Sequence, residues 1–142
     1  MTYAYVAGPL FTESERQWDE RIAVLCEELG CKTFLPHRDA GLEEHGRGAE
    51  IYEADLAALR KSDLVVANLD GGDVDAGTAW EIGWAVAKGI PVVGLRTDRR
   101  WLEPWAQVNV MVGQSVRIVN SFEELRIMLN AVLLALRVKD GG

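Results

Sequence analysis

Residues 64–95 read LVVANLDGGDVDAGTAWEIGWAVAKGIPVVGL, and this stretch decides the fold. LVVANL is an apolar run without alternation, the pattern of a strand covered on both faces. The polar turn DGGDVDAG interrupts it. Helical spacing then runs from about Thr78 to Lys88 and stops at Gly89. Pro91 opens a further strand, VVGL. Two buried strands joined by one helix form a parallel crossover unit.

Outward from this unit the alternation continues. Residues 3–7 form a β-prone run that ends at Gly8–Pro9. Thr12 to Glu15 make a capping box, and Trp18, Ile22, Leu25, Cys26 and Leu29 follow at helical spacing until Gly30. KTFLP reads as the second strand, residues 40–48 as a polar loop, and Ile51 to about Arg60 as a helix. Residues 97–108 read as an irregular connection, and VRIV as the fifth strand. A second capping box, Ser121 to Glu124, opens a last helix to about Val138, with KDGG as a frayed tail. The expectation is one α/β domain over residues 1–142. It is a doubly wound parallel sheet of about five strands with helices on both faces. Ligands of such sheets bind beyond the carboxyl ends of the strands. Gly8–Phe11, Pro36–Asp39, Asp70–Gly77 and the end of the fourth strand share that rim.

The chain has 142 residues, 49% of them hydrophobic, enough for one core. Its net charge is −7 and its basic runs are short, such as Arg99–Arg100, which excludes a phosphate-tracking surface for a nucleic-acid polymer. No apolar run reaches the roughly 18 residues of a membrane span. The start MTYAYVAG lacks the layout of a signal peptide, so a cytoplasmic location is expected. Cys26 and Cys31 do not form a C-x-x-C pair, and with His37 and His45 they match no common zinc spacing. No metal is expected.

The Walker and dinucleotide glycine patterns are absent. A calcium loop starting at Asp70 fails because Gly72 and Val74 stand where oxygen ligands are required. What remains on the rim is a set of carboxylates: Asp39, Asp70, Asp73, Asp75 and Glu81, with Asp55 from the preceding helix. Carboxylates suit cleavage at an anomeric carbon, where one attacks and another assists the leaving group. At a helix N-terminus, Glu81 would stay ionised through the helix dipole. The same residues allow a structural reading, since Thr78 to Glu81 is itself a T-x-x-E capping box. Asp75 is open to a role as turn former or N-cap, and Tyr5 to one as a core residue with a satisfied hydroxyl. Trp80 and Trp84, four residues apart, read as burying a helix face.

From YVAGPLF through FLPHRD and residues 62–94 to NVM, the chain resembles the nucleoside 2-deoxyribosyltransferase family. The most specific element is D-x-G-T-x-x-E-x-G, Asp75 to Gly83. The resemblance implies a flavodoxin-like sheet and exchange of the base on a 2′-deoxyribonucleoside, without metal or organic cofactor. It implies that Glu81 is the nucleophile, that Tyr5 orients it, and that Asp55 contacts the base and assists its protonation. Asp75 and Asn109 would hold sugar hydroxyls, with Asn109 donated by a neighbouring subunit and Met111 packed beside it. Gly8 and Phe11 of AGPLF line the same rim, and His37, Arg38 and Asp39 lie where base contacts are expected. The partners implied are deoxyribonucleosides, free nucleobases and a second copy of the chain, in a dimer-based homo-oligomer with shared sites. Two rivals share these features: a hydrolase of 2′-deoxynucleoside 5′-monophosphates, and a non-catalytic nucleotide-sensing module.

Overall fold

A computed structural model describes residues 1–42 and 44–141. Position 43 of the expected loop and position 142 of the expected tail lie outside the described residues. Along the chain run β1 (Tyr3–Ala7), α1 (Glu13–Glu28), β2 (Lys32–Phe34), α2 (Pro36–Asp39) and α3 (Gly48–Lys61). They are followed by β3 (Leu64–Asn68), α4 (Ala76–Ala87), β4 (Val92–Leu95), α5 (Val110–Ser115), β5 (Arg117–Val119) and α6 (Phe122–Gly141). All four strand pairings are parallel, in the order β2-β1-β3-β4-β5. That is the flavodoxin-like order, with its switch point between β1 and β3.

The two faces follow from the period of two along each strand. Ala4, Val6, Leu64, Val66, Val93 and Leu95 pack under α1 and α6, which contribute Ile22, Cys26, Leu125 and Leu129. Tyr5, Ala7, Val65, Ala67 and Val92 face the other way, under Leu59 of α3, Ile82 of α4 and Val112 of α5. Every residue of β3 is buried, as an unalternating central strand requires. Among the described residues no helix is long and apolar enough to cross a membrane.

Several boundaries differ from the sequence expectation. The second strand stops at Phe34, because Pro36 takes the first position of α2, where its fixed φ and missing N–H suit a helix start. α3 begins at Gly48, three residues early. α4 begins at Ala76 with Asp75 as its N-cap, so Thr78 lies inside the first turn, buried, rather than at the cap. Lys139 to Gly141 continue α6 instead of fraying. Of the other two expected capping boxes, Thr12 with Glu15 forms in full, whereas Ser121 Oγ accepts from the Glu124 amide but the Glu124 side chain reaches back to the Asn120 amide instead of that of Ser121.

Candidate active site

β1 ends at Ala7 and β3 at Asn68, and a cleft opens beyond these ends on the α3/α4 side. A cavity of about 400 Å³ occupies it, within the range of small-molecule sites. Gly8, Phe11, Asp55, Asp75, Gly77 and Glu81 line it, together with an apolar wall. Tyr5 approaches from beneath. Its odd position in β1 turns the ring towards α3 and α4, where it stacks on Phe34 at 5.4 Å and is fully buried.

The Tyr5 hydroxyl donates a hydrogen bond to Glu81 Oε2, so strand and helix meet at the carboxylate. Burial raises the phenol's proton affinity far above its ordinary value, and the charges of Glu81 and Asp55 raise it further. Tyr5 therefore stays protonated and remains a donor. Burial also raises Glu81 to about 8, with Asp55, Asp75 and Asp19 adding to the effect and the Tyr5 bond opposing it. This corrects the expectation that the helix dipole keeps Glu81 ionised. Glu81 is the sixth residue of α4, in its second turn, whereas the dipole acts mainly within the first. The same count removes the capping-box reading, which needs the glutamate at the third position.

Asp55 projects from α3 into the cavity. Burial raises its carboxyl to about 6, and Oδ1 is buried with no hydrogen-bond partner among the described residues. A buried acceptor without a donor is costly, and the apolar wall beside it leaves a ligand to supply one. Asp75 Oδ2 accepts from the Thr78 amide at 2.9 Å and the Thr78 hydroxyl at 3.0 Å, while Oδ1 makes no bond among the described residues. The cap thus fixes a carboxylate at the cavity wall with one oxygen to spare.

Other expected site residues are placed elsewhere. His37, Arg38 and Asp39 do not line the cavity; the helical turn at Pro36 directs them to neighbouring elements. His37 Nε2 pairs with Glu20 at 3.0 Å, Arg38 bonds Asp39, Glu27 and Thr33, and Asp39 accepts from the Leu35 amide at 2.9 Å. Asn109 and Met111 begin α5 and lie in a separate surface depression with Asp73 and Val86. Asn109 caps its own helix through the Met111 amide, and the Met111 side chain is exposed.

Three groups were given no site role by the sequence reading. Trp80 is half exposed at the cavity edge and meets Tyr52 edge to face at 6.0 Å, instead of burying a helix face. Tyr52 lies three residues before Asp55 on α3, so helical spacing from Asp55 would have found it. Asp19 is 2% exposed and takes the Asn68 side-chain N–H at 2.9 Å. A Cβ on Gly8 would stand 2.4 Å from its Oδ1, so the acid fills the space beneath the cavity's glycine. Burial raises Asp19 to about 7, and the Asn68 bond opposes this. Its signal was positional, since Asp19, Ile22 and Cys26 share the buried stripe of α1.

The family profile described as nucleoside 2-deoxyribosyltransferase matches residues 4–128. A protein of Schizosaccharomyces pombe described only as uncharacterised is 32% identical over 106 residues, 68% of this chain and 50% of that protein. The chain therefore spans half the length of that relative. A crystal structure of a conserved protein from Enterococcus faecalis V583 is 32% identical with a TM-score of 0.76, covering 89% of this chain and 95% of that one. A 2-deoxyribosyltransferase from Bacillus psychrosaccharolyticus has a TM-score of 0.73 over 88% of this chain and 90% of its own. At 23% identity, that last likeness is one of fold.

Proposed function

The chain belongs to the nucleoside 2-deoxyribosyltransferase family, and from that premise we propose that it exchanges the base of a 2′-deoxyribonucleoside through a deoxyribosyl–Glu81 intermediate. One observation carries the reading: Glu81, held by the Tyr5 hydroxyl, shares a cavity with Asp55, whose buried Oδ1 has no hydrogen-bond partner among the described residues. In the first step Glu81 attacks C1′ while the C1′–N bond breaks. The bonding pair leaves with the base, which takes a proton from Asp55. In the second, an incoming base attacks C1′, its proton passes to Asp55, and the Glu81 carboxylate is released. Asp75 Oδ1 holds a sugar hydroxyl, and Gly8 and Gly77 let the sugar approach the wall closely. The base lies against Phe11, Tyr52 and Trp80. No metal or organic cofactor enters these steps.

Among the described residues lining the cavity there is no lysine, arginine or histidine. A 5′-phosphate would meet three carboxyl groups and no cation there, which favours a neutral nucleoside over a nucleoside monophosphate. Asn109 and Met111 lie outside their own chain's cavity on an exposed surface, which supports a homo-oligomer in which each subunit completes a neighbour's site.

The test is incubation with deoxyinosine and free adenine. Deoxyadenosine should appear, and mass spectrometry of the quenched enzyme should find one deoxyribosyl group on the peptide containing Glu81. Release of hypoxanthine without deoxyadenosine at any adenine concentration would make the protein a hydrolase. Ligand binding without turnover, unchanged in E81A, would make it a sensing module.

A further inference from the structure

Asp70 is one of the rim carboxylates, yet it does not line the cavity that holds Glu81. Its oxygens are already engaged. Oδ1 accepts from the amides of Thr97 at 2.7 Å and Asp98 at 2.8 Å, and Oδ2 accepts from the Thr97 hydroxyl at 2.5 Å. Beside it lies Arg96, whose side chain is 1% exposed. Arg96 Nη1 donates to the carbonyls of Leu69 at 2.6 Å and Gly71 at 2.7 Å, and Nη2 to that of Arg100 at 2.7 Å. A planar guanidinium can span several carbonyls at fixed angles, which an ammonium on a flexible stem cannot. The Gly71 amide returns a bond to Asp98 Oδ2 at 3.3 Å, and φ of +125° at Gly71 admits glycine most readily.

All of these bonds except that between Arg96 and Arg100, which braces the segment after β4 itself, join the loop after β3 to that segment. Four residues beyond Gly71 the same loop delivers Asp75, the cap of α4. We propose that Asp70 is a positioning residue: with Arg96 it clamps the β3–α4 loop to the segment after β4, and so holds Asp75 in place at the cavity wall. The proposal rests on the reading of Asp75 as the sugar-holding group. The β4 strand and its following turn thereby become part of the apparatus of the site, although neither Asp70 nor Arg96 touches the cavity. The role asks of Asp70 its acceptor geometry, not its charge.

That distinction sets the experiment. D70A loses all three acceptor bonds, whereas D70N keeps a carbonyl oxygen for the two amides and an N–H₂ group for the threonine oxygen. Two measurements follow each variant well below its melting temperature: the rate of deoxyribosyl-enzyme formation at saturating nucleoside, and hydrogen exchange of the amides from Val74 to Ala79. D70A is expected to slow the reaction by about tenfold to a hundredfold, since small displacements at a reacting centre are costly. Exchange of those amides should quicken by about tenfold as the loop loosens. D70N should stay within about threefold of the parent on both readouts, because its hydrogen bonds persist. Wild-type rate and protection in a folded D70A would overturn the clamp. D70N as slow as D70A with full protection would overturn it too, by showing that the charge is what matters. If D70A does not fold, T97V removes the Oδ2 bond alone and should slow the reaction by about threefold; an unchanged rate and exchange pattern would then refute the proposal. Exchange requires no reaction, so failure of the wild type to label Glu81 would refute the proposed function while the clamp is still decided.

Discussion

Tyr5→Phe isolates the hydrogen bond that favours the ionised form of Glu81, the proposed nucleophile. The ring, its stacking on Phe34 and its burial persist, and only the O–H donor to Glu81 is lost. Hydrogen bonds to charged groups contribute about 1.5–3 kcal/mol, which is about one to two pK units at about 1.36 kcal/mol each. Glu81 already stands at about 8, and the Tyr5 bond lowers it, so its removal moves the carboxyl up. The variant should therefore titrate at about 9–10, and at about pH 7 the ionised fraction falls from about one-tenth to about one-hundredth or less. The assay is single-turnover formation of the deoxyribosyl-enzyme across a pH series, read as kcat/KM so that the free enzyme's groups are reported. Because the reaction also needs Asp55 protonated, Glu81 sets the alkaline limb of the profile, and that limb should shift upward, with about a tenfold to hundredfold deficit near neutrality that closes at the alkaline end. A loss of equal size at every pH, with the limb unmoved, would refute the argument and leave Tyr5 as packing alone.

The remaining predictions test the other acids and their support. Glu81 carries a raised carboxyl, from 4.5 to about 8, so its contribution to stability is complete below about pH 4.5 and is lost as pH rises to about 8. E81Q should remove that loss, by several kcal/mol at most, and melt roughly 5–10 °C above the parent at about pH 8 while matching it near pH 4; equal melting at alkaline pH would contradict the burial argument. D55N should slow exchange of deoxyadenosine by about a hundredfold, yet leave a deoxyriboside with a leaving group that needs no proton, such as p-nitrophenolate, within about threefold. Equal losses on both substrates would show that Asp55 is not the acid. G8A places a Cβ 2.4 Å from Asp19 Oδ1, and should lower stability by about 1–3 kcal/mol in thermal unfolding. An unchanged melting temperature would mean that Asp19 moves aside freely.

What the sequence disclosed and what it hid have separate physical causes. The alternation of apolar runs and helical spacing reported the parallel sheet, because burial on both faces leaves a mark at every position of β3. The acids of the carboxylate site were marked by their place on the rim. Their contacts were not. β1 is almost wholly buried, so alternation did not show which face Tyr5 takes, and a core tyrosine looks the same as one aimed at a nucleophile. His37, Arg38 and Asp39 were expected on the rim beyond the second strand, where the resemblance implies base contacts, but a helical turn opened by Pro36 directs them towards Glu20, Glu27 and Thr33. The start of α4 turned on which residue caps it. Asp75 and Thr78 both fit a capping pattern, and choosing Asp75 moves Glu81 from the third helical position to the sixth. That shift of three residues separates a cap from a buried carboxyl at the cavity wall.

The same burial poses a problem that the chemistry must solve. An attacking Glu81 must be ionised and a departing base needs Asp55 protonated, yet burial places the proton the other way, with Glu81 at about 8 and Asp55 at about 6. Moving the proton between them costs about two pK units, or roughly 3 kcal/mol. On the proposed mechanism, a reacting nucleoside would change both carboxyls in the required direction. A base lying on the apolar wall excludes water from Asp55 Oδ1 and raises its proton affinity, while positive charge developing at C1′ lowers that of Glu81. Titration in the presence of an unreactive analogue that carries a cationic nitrogen in place of C1′ should therefore bring the two apparent values together, with the Glu81 limb falling as the Asp55 limb rises. If both move upward by the same amount, desolvation alone governs the site and Glu81 gains nothing from the sugar. Convergence would mean that the protein stores its nucleophile in a neutral state, which the substrate itself converts.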